Sequence, residues 1–302
     1  MVTATLNPAE RTAALSEITT SVIDVLDQLR KTAPLQSIVF PPYPALLAQL
    51  QAAMAEAEPD LNEVARIATS DVSMSMALLK AANSPLYAVA GPVQTIGQAM
   101  NLLGLDRTAT VMTGFLAQRA IRINSPHLAR FWERASKRAV AMAFMARKLT
   151  GMNEDVAYTY GLFCHAGIPL MMQSCKGYAG TIAEGLARTD RSFVATENAN
   201  HRTDHAVVGA LVARMWRLHP HVVAAIKLHH DDHCVNSKLA DPDVKNLVAM
   251  GMVAEHLMRE SEGLAVEKDW LVCGEQALAW LQIQPHELAD WQIELKDVYD
   301  AA

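Results

Sequence analysis

The sequence predicts an all-α protein arranged as two helical lobes. Apolar residues recur at spacings of three and four along most of the chain, the period of an α-helix that buries one face. No stretch alternates apolar and polar residues with the period of two that is typical of a half-buried strand. Short connections marked by Pro, Gly, Asn and Asp separate the helical stretches. Together these observations favour helix packed on helix.

The N-terminal segment predicts an amphipathic helix over residues 9 to 31, within an N-terminal unit of helix and linker over residues 1 to 34. We expect this helix to fold back onto the body of the protein, and a dimer or partner helix is the alternative. The opposite face of the helix is charged. The apolar face consists of Leu15, Ile18, Val22, Leu26 and Leu29.

The first lobe is predicted over residues 35 to 123, and its densest pattern runs from Asp71 to Leu105. The helix there carries apolar side chains in every direction, so we expect it to be buried, with Ser70 or Asp71 as its cap. The corner Asn83-Ser84-Pro85 ends it, because proline has no amide proton and disfavours helix at the preceding residue.

Four residues of this stretch are assigned structural roles. Thr95 and Gln98 have the spacing of a capping box, which predicts the start of the next helix. Gly104 is expected to take a positive φ at the end of that helix. The side chain of Asn83 is expected to bond the backbone of its own turn, within a corner buried among apolar helices.

The second lobe is predicted over residues 124 to 302, as an HD-like lobe with a helical extension. Pro220 splits two of its helices, and the acidic stretches Asp231-Asp232, Asp241 to Asp243 and Glu260 to Glu267 are expected to be solvated loops. The helices are expected at residues 127 to 149, 153 to 175, 204 to 217, 220 to 230, 236 to 260 and 284 to 298.

Composition limits the classes of function. The 302 residues are 51% apolar, enough for a substantial core, and the net charge of −6 argues against an extended nucleic-acid surface. The four cysteines have no CxxC spacing, so reduced thiols in a cytosol are the simpler interpretation. No apolar run in the sequence reaches the ~20 residues that a membrane-spanning helix needs. We therefore expect a soluble, cytoplasmic protein with neither nucleic acid nor membrane as a partner.

Three sequence motifs resemble those of the HDOD family, the HD-related output domain of bacterial signalling proteins. They are the run NSPLY at Asn83, the run G-P-V-Q-T-I-x-x-A at Gly91 and the run LLGLDR that ends at Arg107. The resemblance extends from Phe40 to the pair His229-His230. It implies an HD-like helical fold and a regulatory or scaffolding role, in a lineage that diverged from HD-type metal phosphohydrolases.

The same resemblance implies a degenerate metal site. An active HD-type phosphohydrolase has one metal-binding histidine on the long helix and an adjacent His-Asp pair on the next helix. In this sequence Arg134 stands at the position that we assign to the first histidine, and Cys164-His165 stands at the position of the pair. An arginine does not deprotonate to bind a metal, so we expect neither a bound metal nor another cofactor, and no catalytic residue. The residues of this vestigial pocket, which are also the candidates for a ligand, are Arg134, Cys164, His165, His205, His229 and His230.

The remaining histidines leave three interpretations open. Structural histidines are favoured, because His229 and His230 end a helix, where a partly charged imidazole bonds the last carbonyl groups. A fortuitous or regulatory metal site is the second interpretation, since zinc accepts nitrogen and sulfur ligands together. A pocket for a small ligand is the third.

The leading hypothesis is a non-catalytic signal-transduction module that binds signalling proteins or a small regulatory ligand, with a homodimer as one form of assembly. The rival is a metal-dependent phosphohydrolase that acts on nucleotides or cyclic dinucleotides. Phosphate-binding glycine loops, GxSxG elbows and HExxH motifs do not occur in the sequence, which excludes the commoner kinases, esterases and zincins.

Overall fold

The structure, a computed structural model, describes residues 17–87, 91–231, 235 and 241–301. Regular structure in these ranges consists of helices alone, which confirms the all-α prediction. Two short 3₁₀ helices cover Pro85–Tyr87 and Pro126–Leu128. The α-helices are α1 Glu17–Leu29, α2 Ala33–Gln36, α3 Ala45–Ala55, α4 Leu61–Thr69, α5 Val72–Ala82, α6 Ile96–Ala120, α7 Phe131–Lys148, α8 Glu154–Phe163, α9 Gly167–Ser174, α10 Tyr178–Ala187, α11 Phe193–His201, α12 His205–Met215, α13 Pro220–Leu228, α14 Pro242–Ser261, α15 Lys268–Leu281 and α16 Pro285–Ala301.

Local sequence signals set the helix ends of the first lobe. The Asp71 carboxylate accepts hydrogen bonds from the amides of Ser73 and Met74 and so caps α5. Thr95 and Gln98 form the predicted capping box at the start of α6. None of the helices in the described part of the chain has the length and apolar character needed to cross a membrane.

Helix α5 is less buried than its composition predicted. Met74, Leu78 and Ala82 are fully buried, but Val72 is 77% exposed and Met76 is 66% exposed. The expectation of a helix without a wet face is therefore wrong. The buried residues are four apart, so α5 packs through one face, chiefly against α6, while Val72 and Met76 remain in solvent.

The corner after α5 is fastened by Asn83. Its side-chain amide donates to the carbonyls of Leu79 and Val93, at 2.9 and 2.8 Å, and its oxygen accepts from the Val93 amide at 2.8 Å. The predicted bonds to the backbone of the turn are therefore confirmed. The expected burial of the corner is not, because Asn83 itself is exposed.

Gly104 interrupts α6 with a kink between two helical segments, in agreement with the predicted helix end at this residue. Its φ of 73° confirms the predicted positive angle, but its ψ is 174°, a combination that is almost exclusive to glycine. Helical structure resumes at once and continues to Ala120.

The helices of the second lobe differ from the predicted ones in number and in bounds. The single helix expected over residues 153 to 175 is two helices, α8 and α9, with a turn at Cys164, His165 and Ala166. Helices α10, α11 and α15 were not predicted. The helix expected from residue 236 begins at Pro242, and residues 236 to 240 lie outside the described residues.

Two of the acidic stretches expected to be solvated are partly buried. The side chain of Glu262 is only 5% exposed and bonds Arg130, the N-cap residue of α7, at 2.9 Å, and Arg134 and Lys137 on α7 at 2.9 and 3.0 Å. Asp241 is 8% exposed and caps α14. Asp232 lies outside the described residues. The expectation failed because cations at the start of α7 lie opposite Glu262 and because Asp241 accepts a backbone hydrogen bond as a helix cap.

Helix α1 packs on α12 and α13, as expected for a helix that folds back. Leu26 is fully buried in the core, and Val22 and Leu29 pack against it. Leu15 and the side chain of Ile18 lie outside the described residues.

Replacement of Leu26 by alanine should lower the free energy of unfolding by about 2–5 kcal/mol, because it removes a buried side chain and leaves a cavity. Val25→Ala is the matched control, since Val25 is 47% exposed, and it should change the free energy by less than about 0.5 kcal/mol. Denaturant unfolding of both variants measures the difference. Equal, small effects would show that α1 is not part of the core.

Replacement of Gly104 by alanine should lower the free energy of unfolding by about 1–3 kcal/mol, because a side chain strains its backbone conformation. The space around it is open, so a clash does not contribute. Gly97 lies in the same helix with equally open surroundings, and Gly97→Ala should leave stability unchanged or raise it by up to about 1 kcal/mol. Thermal melts of the pair that move together would contradict this account.

Candidate functional site

Four histidines from three parts of the second lobe converge on one point. His165 lies in the turn between α8 and α9, His205 begins α12, and His229 and His230 follow α13. One ring nitrogen from each lies within 4.8 Å of the others. The cluster therefore depends on helix packing rather than on closeness in the sequence.

A close backbone approach brings His165 to His205. A Cβ atom on Gly167 would lie 2.0 Å from the His205 carbonyl oxygen and 2.8 Å from the Gly209 nitrogen. Such distances are impossible for a real side chain, so α9 can cross α12 at this separation only with glycine at position 167. The turn that carries His165 thus lies directly against the start of α12.

Each of three imidazoles is held by its Nδ1 atom. The Nδ1 of His205 bonds a Glu197 carboxylate oxygen at 2.7 Å, and the Nδ1 of His229 bonds the Ile226 carbonyl at 2.6 Å. The Nδ1 of His230 bonds the Asp269 carboxylate. Because all three partners accept hydrogen bonds, each Nδ1 carries a proton and donates it. In the neutral rings the Nε2 lone pairs are therefore free.

The three Nε2 atoms face one another. The Nε2 of His205 lies 3.3 Å from that of His229 and 3.1 Å from that of His230. Lone pairs at such distances repel, so a proton or a cation must lie between them. Metal–nitrogen bonds of ~2.0–2.1 Å at a tetrahedral angle place two ligand nitrogens about 3.3 Å apart. The observed separations therefore match those of imidazoles around one metal ion.

Burial and neighbouring charges set the protonation of the cluster. Burial, reinforced by the Arg138 cation, holds the pKa of His165 well below its ordinary value. Burial and the nearby His230 do the same to the pKa of His229. For His230 burial acts in the same direction, but the Asp269 carboxylate outweighs it and raises the pKa. His230 is therefore the ring best suited to carry a proton between the Nε2 atoms.

A buried arginine closes one side of the site. Arg138 on α7 is 4% exposed, and its Nε donates to a Glu255 carboxylate oxygen on α14 at 2.8 Å. It also donates to the Gly161 carbonyl at 3.2 Å. Its third contact is the Nδ1 of His165 at 3.4 Å. Because a guanidinium only donates, this nitrogen of His165 is an acceptor, unlike the Nδ1 atoms of the other three rings.

The space left beside the histidines is very small. The cavity has a volume of about 20 Å³. That volume holds about one water molecule. Burial and the neighbouring Glu255 raise the pKa of Glu267 to about 7. The residues around the cavity include Arg138, Tyr160, Cys164, His165, His229, His230, Glu255, Glu267 and Asp269.

Residues 40–232 match the HDOD domain, which is more than half of the chain. The chain belongs to the HDOD family. The match spans the first lobe, the turn at His165 and the other three histidines.

Solved structures share the fold. A Shewanella amazonensis SB2B protein, provisionally described as a phosphohydrolase, is 20% identical with a TM-score of 0.68, over 95% of this chain and 98% of its own. An HDOD domain protein of unknown function from Geobacter sulfurreducens is 18% identical with a TM-score of 0.66, over 93% and 98% of the two chains. A Marinobacter aquaeolei VT8 protein, provisionally described as a signal transduction protein, is 17% identical with a TM-score of 0.67, over 98% and 65%. At these identities the likeness shows the HD-like helical fold alone.

A curated relative is an uncharacterized protein of Treponema pallidum (strain Nichols). It is 22% identical over 225 residues, which are 74% of this chain and 43% of the relative. The chain therefore spans less than half the length of the curated relative that it matches.

The arginine that borders the pocket around the four histidines, the histidine pocket, is not the one that the sequence predicted. Arg134 bonds Glu262 and does not border the cavity, whereas Arg138 does. The two are four residues apart on α7 and so share a face, which sequence spacing alone does not resolve. A permanent cation therefore borders the cavity, but Arg138 supplies it instead of Arg134.

Cys164 belongs to the wall of the histidine pocket rather than to its polar centre. It is 2% exposed, and its thiol points to the Gly161 carbonyl at 3.8 Å. Burial raises the pKa of this thiol to about 11. It therefore remains protonated near neutral pH, where only a thiolate would be a good metal ligand.

The donor set fits a divalent metal better than the sequence suggested. The residues that would hold it are His205, His229 and His230, and imidazoles suit Zn²⁺, Ni²⁺ and related ions. Each Nδ1–H is anchored to a carboxylate or a carbonyl, as is usual for metal-binding histidines. The expectation that no metal is bound stays a prediction, and this geometry argues against it.

Sequence reasoning missed the anchors of the histidines. Glu197 and Asp269 belong to helices, α11 and α15, that were not predicted, and Glu255 was not singled out. Glu197 is completely buried and also accepts a hydrogen bond from Tyr178. The only available signal was a lone glutamate within an otherwise uncharged helical stretch, and such glutamates are usually exposed.

Titration with Zn²⁺ should show about one ion bound per chain, with an affinity that falls as the pH is lowered from about 7.5 to about 6, because the ligands must lose their protons. His205→Ala should weaken binding by at least about tenfold, and Asp269→Asn by about 10–100-fold. His286→Ala is the control, since His286 is exposed on α16 and should not matter. Isothermal titration calorimetry checks each value, and an affinity that survives His205→Ala would place the ion elsewhere.

Proposed function

We propose that this HDOD chain is a non-catalytic signal-transduction module that acts through contacts with partner proteins or a small ligand. The observation that carries the proposal is the size of the space at the histidines. Sites for small molecules commonly measure ~300–1,000 Å³, whereas the cavity here has about 20 Å³. A phosphate ester therefore does not fit beside the residues that would hold a metal.

The charge at the site supports the same conclusion. Arg138 is fixed by Glu255 and by a backbone carbonyl, so it cannot move aside without leaving buried groups unpaired. A cation at that position also repels a second metal ion. A metal held by the histidines would therefore connect α12 to the end of α13 and supply rigidity.

Metal-dependent phosphohydrolysis is the second candidate. It is favoured by the converging Nε2 atoms, because a metal ion held by three protein ligands lowers the pKa of its bound water to about 7. Glu267 beside the cavity, with its pKa raised to about 7, has the proton affinity of a general base. Substrate access would require the wall formed by Arg138 and Glu255 to open.

The protein should not hydrolyse 4-nitrophenyl phosphate or bis(4-nitrophenyl) phosphate above the buffer rate, either as purified or after loading with Zn²⁺, Mn²⁺ or Co²⁺. The physical reason is the absence of room for the ester at the histidines. Release of 4-nitrophenolate is the measurement.

Turnover that is lost in His205→Ala and retained in His286→Ala would contradict the proposal and establish the phosphohydrolase. Turnover retained in both variants would come from a contaminant, and turnover absent from all preparations agrees with the non-catalytic assignment.

A further inference from the structure

A larger cavity, of about 350 Å³, lies where the corner after α5 meets α6, α7 and α8. We name it the inter-lobe cavity, since α5 and α6 belong to the first lobe and α7 and α8 to the second. Its volume is within the ~300–1,000 Å³ range of small-molecule sites. The side chains that define it are Leu86, Tyr87, Phe115, Trp132, Val140 and Tyr158.

The aromatic walls are held in place before any ligand binds. The guanidinium of Arg147 lies 4.7 Å from the centre of the Tyr87 ring. Arg107 donates to the Tyr87 hydroxyl at 2.8 Å and is itself paired with Glu154 at 2.5 Å. On the opposite side, the indole N–H of Trp132 donates to the Ile121 carbonyl at 3.2 Å. Binding of a ligand would therefore carry no entropic cost for ordering these rings.

Tyr158 is one of the polar residues that line the cavity, together with Ser84 and Ser136. Burial raises its pKa to about 12, so it stays protonated and can donate a hydrogen bond. Among the described residues it has no hydrogen-bond partner. The nearby Arg107 cation is already balanced by Glu154. A neutral acceptor oxygen is therefore matched here, whereas a carboxylate would lose its hydration without gaining an unpaired cation.

We propose that the inter-lobe cavity binds a neutral, planar aromatic compound that carries a carbonyl oxygen. The rings of Tyr87, Phe115 and Trp132 provide faces and edges for an aromatic body, and the Tyr158 hydroxyl donates to the carbonyl. Exposed polar residues surround the mouth, namely Lys80, Gln118 and Glu133. The aromatic body of the ligand therefore lies inside this polar mouth, against the rings.

This site is separate from the histidine pocket and does not depend on whether that pocket holds a metal. A compound bound here touches both lobes at once. It would stabilise their present arrangement by mass action, which gives the module a means to respond to a small molecule.

The probe for the test is 6-propionyl-2-(dimethylamino)naphthalene, a planar aromatic ketone whose fluorescence moves to shorter wavelength in apolar surroundings. The expected result is saturable binding of one probe per chain with a blue shift. Ala81→Phe and Ser136→Phe place a ring in the cavity from opposite walls and should weaken binding at least tenfold. Ala52→Phe, on the exposed face of α3, is the matched control and should bind as the unaltered protein does.

Tyr158→Phe keeps the ring, removes the donor and should weaken ketone binding about two- to tenfold. The analogue 2-(dimethylamino)-6-propylnaphthalene has no carbonyl, so its affinity should be the same for Tyr158→Phe and the unaltered protein. A ketone affinity that is unchanged in both ring-filling variants, or an absence of saturable binding, overturns the proposal. Equal effects of Tyr158→Phe on the two probes would overturn the assignment of a carbonyl oxygen to the ligand. Tyr158→Phe should keep the fold, because it removes only the hydroxyl.

Discussion

The ion pair between Arg138 and Glu255 is the interaction on which the second lobe depends. It joins α7 to α14 with both partners buried, and a further bond from Arg138 reaches the carbonyl of Gly161 on α8. Removal of one partner of such a pair typically costs about 3–5 kcal/mol, because the other charge is left buried and unpaired. The three helices are therefore held at one fixed separation.

The same arginine determines what the histidine pocket can do. Its contact with the Nδ1 of His165 makes that ring an acceptor and separates it from the other three, whose Nδ1 atoms donate. Only His205, His229 and His230 then present free Nε2 lone pairs.

Helices α7 and α8 border both cavities. On α7, Trp132 and Val140 face the inter-lobe cavity while Arg138 faces the histidines, and on α8 Tyr158 and Tyr160 divide in the same way. Side chains two residues apart on a helix point about 200° away from each other, so residues at i and i+2 face opposite sides of the helix. The HDOD motif around Asn83 has a different role, because its bonds hold the corner that forms one wall of the larger cavity.

The sequence by itself determined the features that depend on residues within one or two helical turns of each other. The caps at Asp71 and Thr95, the positive φ of Gly104 and the burial of Leu26 all follow from local backbone chemistry and helical periodicity. Tertiary structure decided the rest. Arg138 rather than Arg134 reaches the pocket because of how α7 packs, and Glu197 reaches His205 because α11 returns beside α12. Distances between helices that are remote in the sequence arise from the fit of whole side-chain surfaces, and no short pattern of residues encodes that fit.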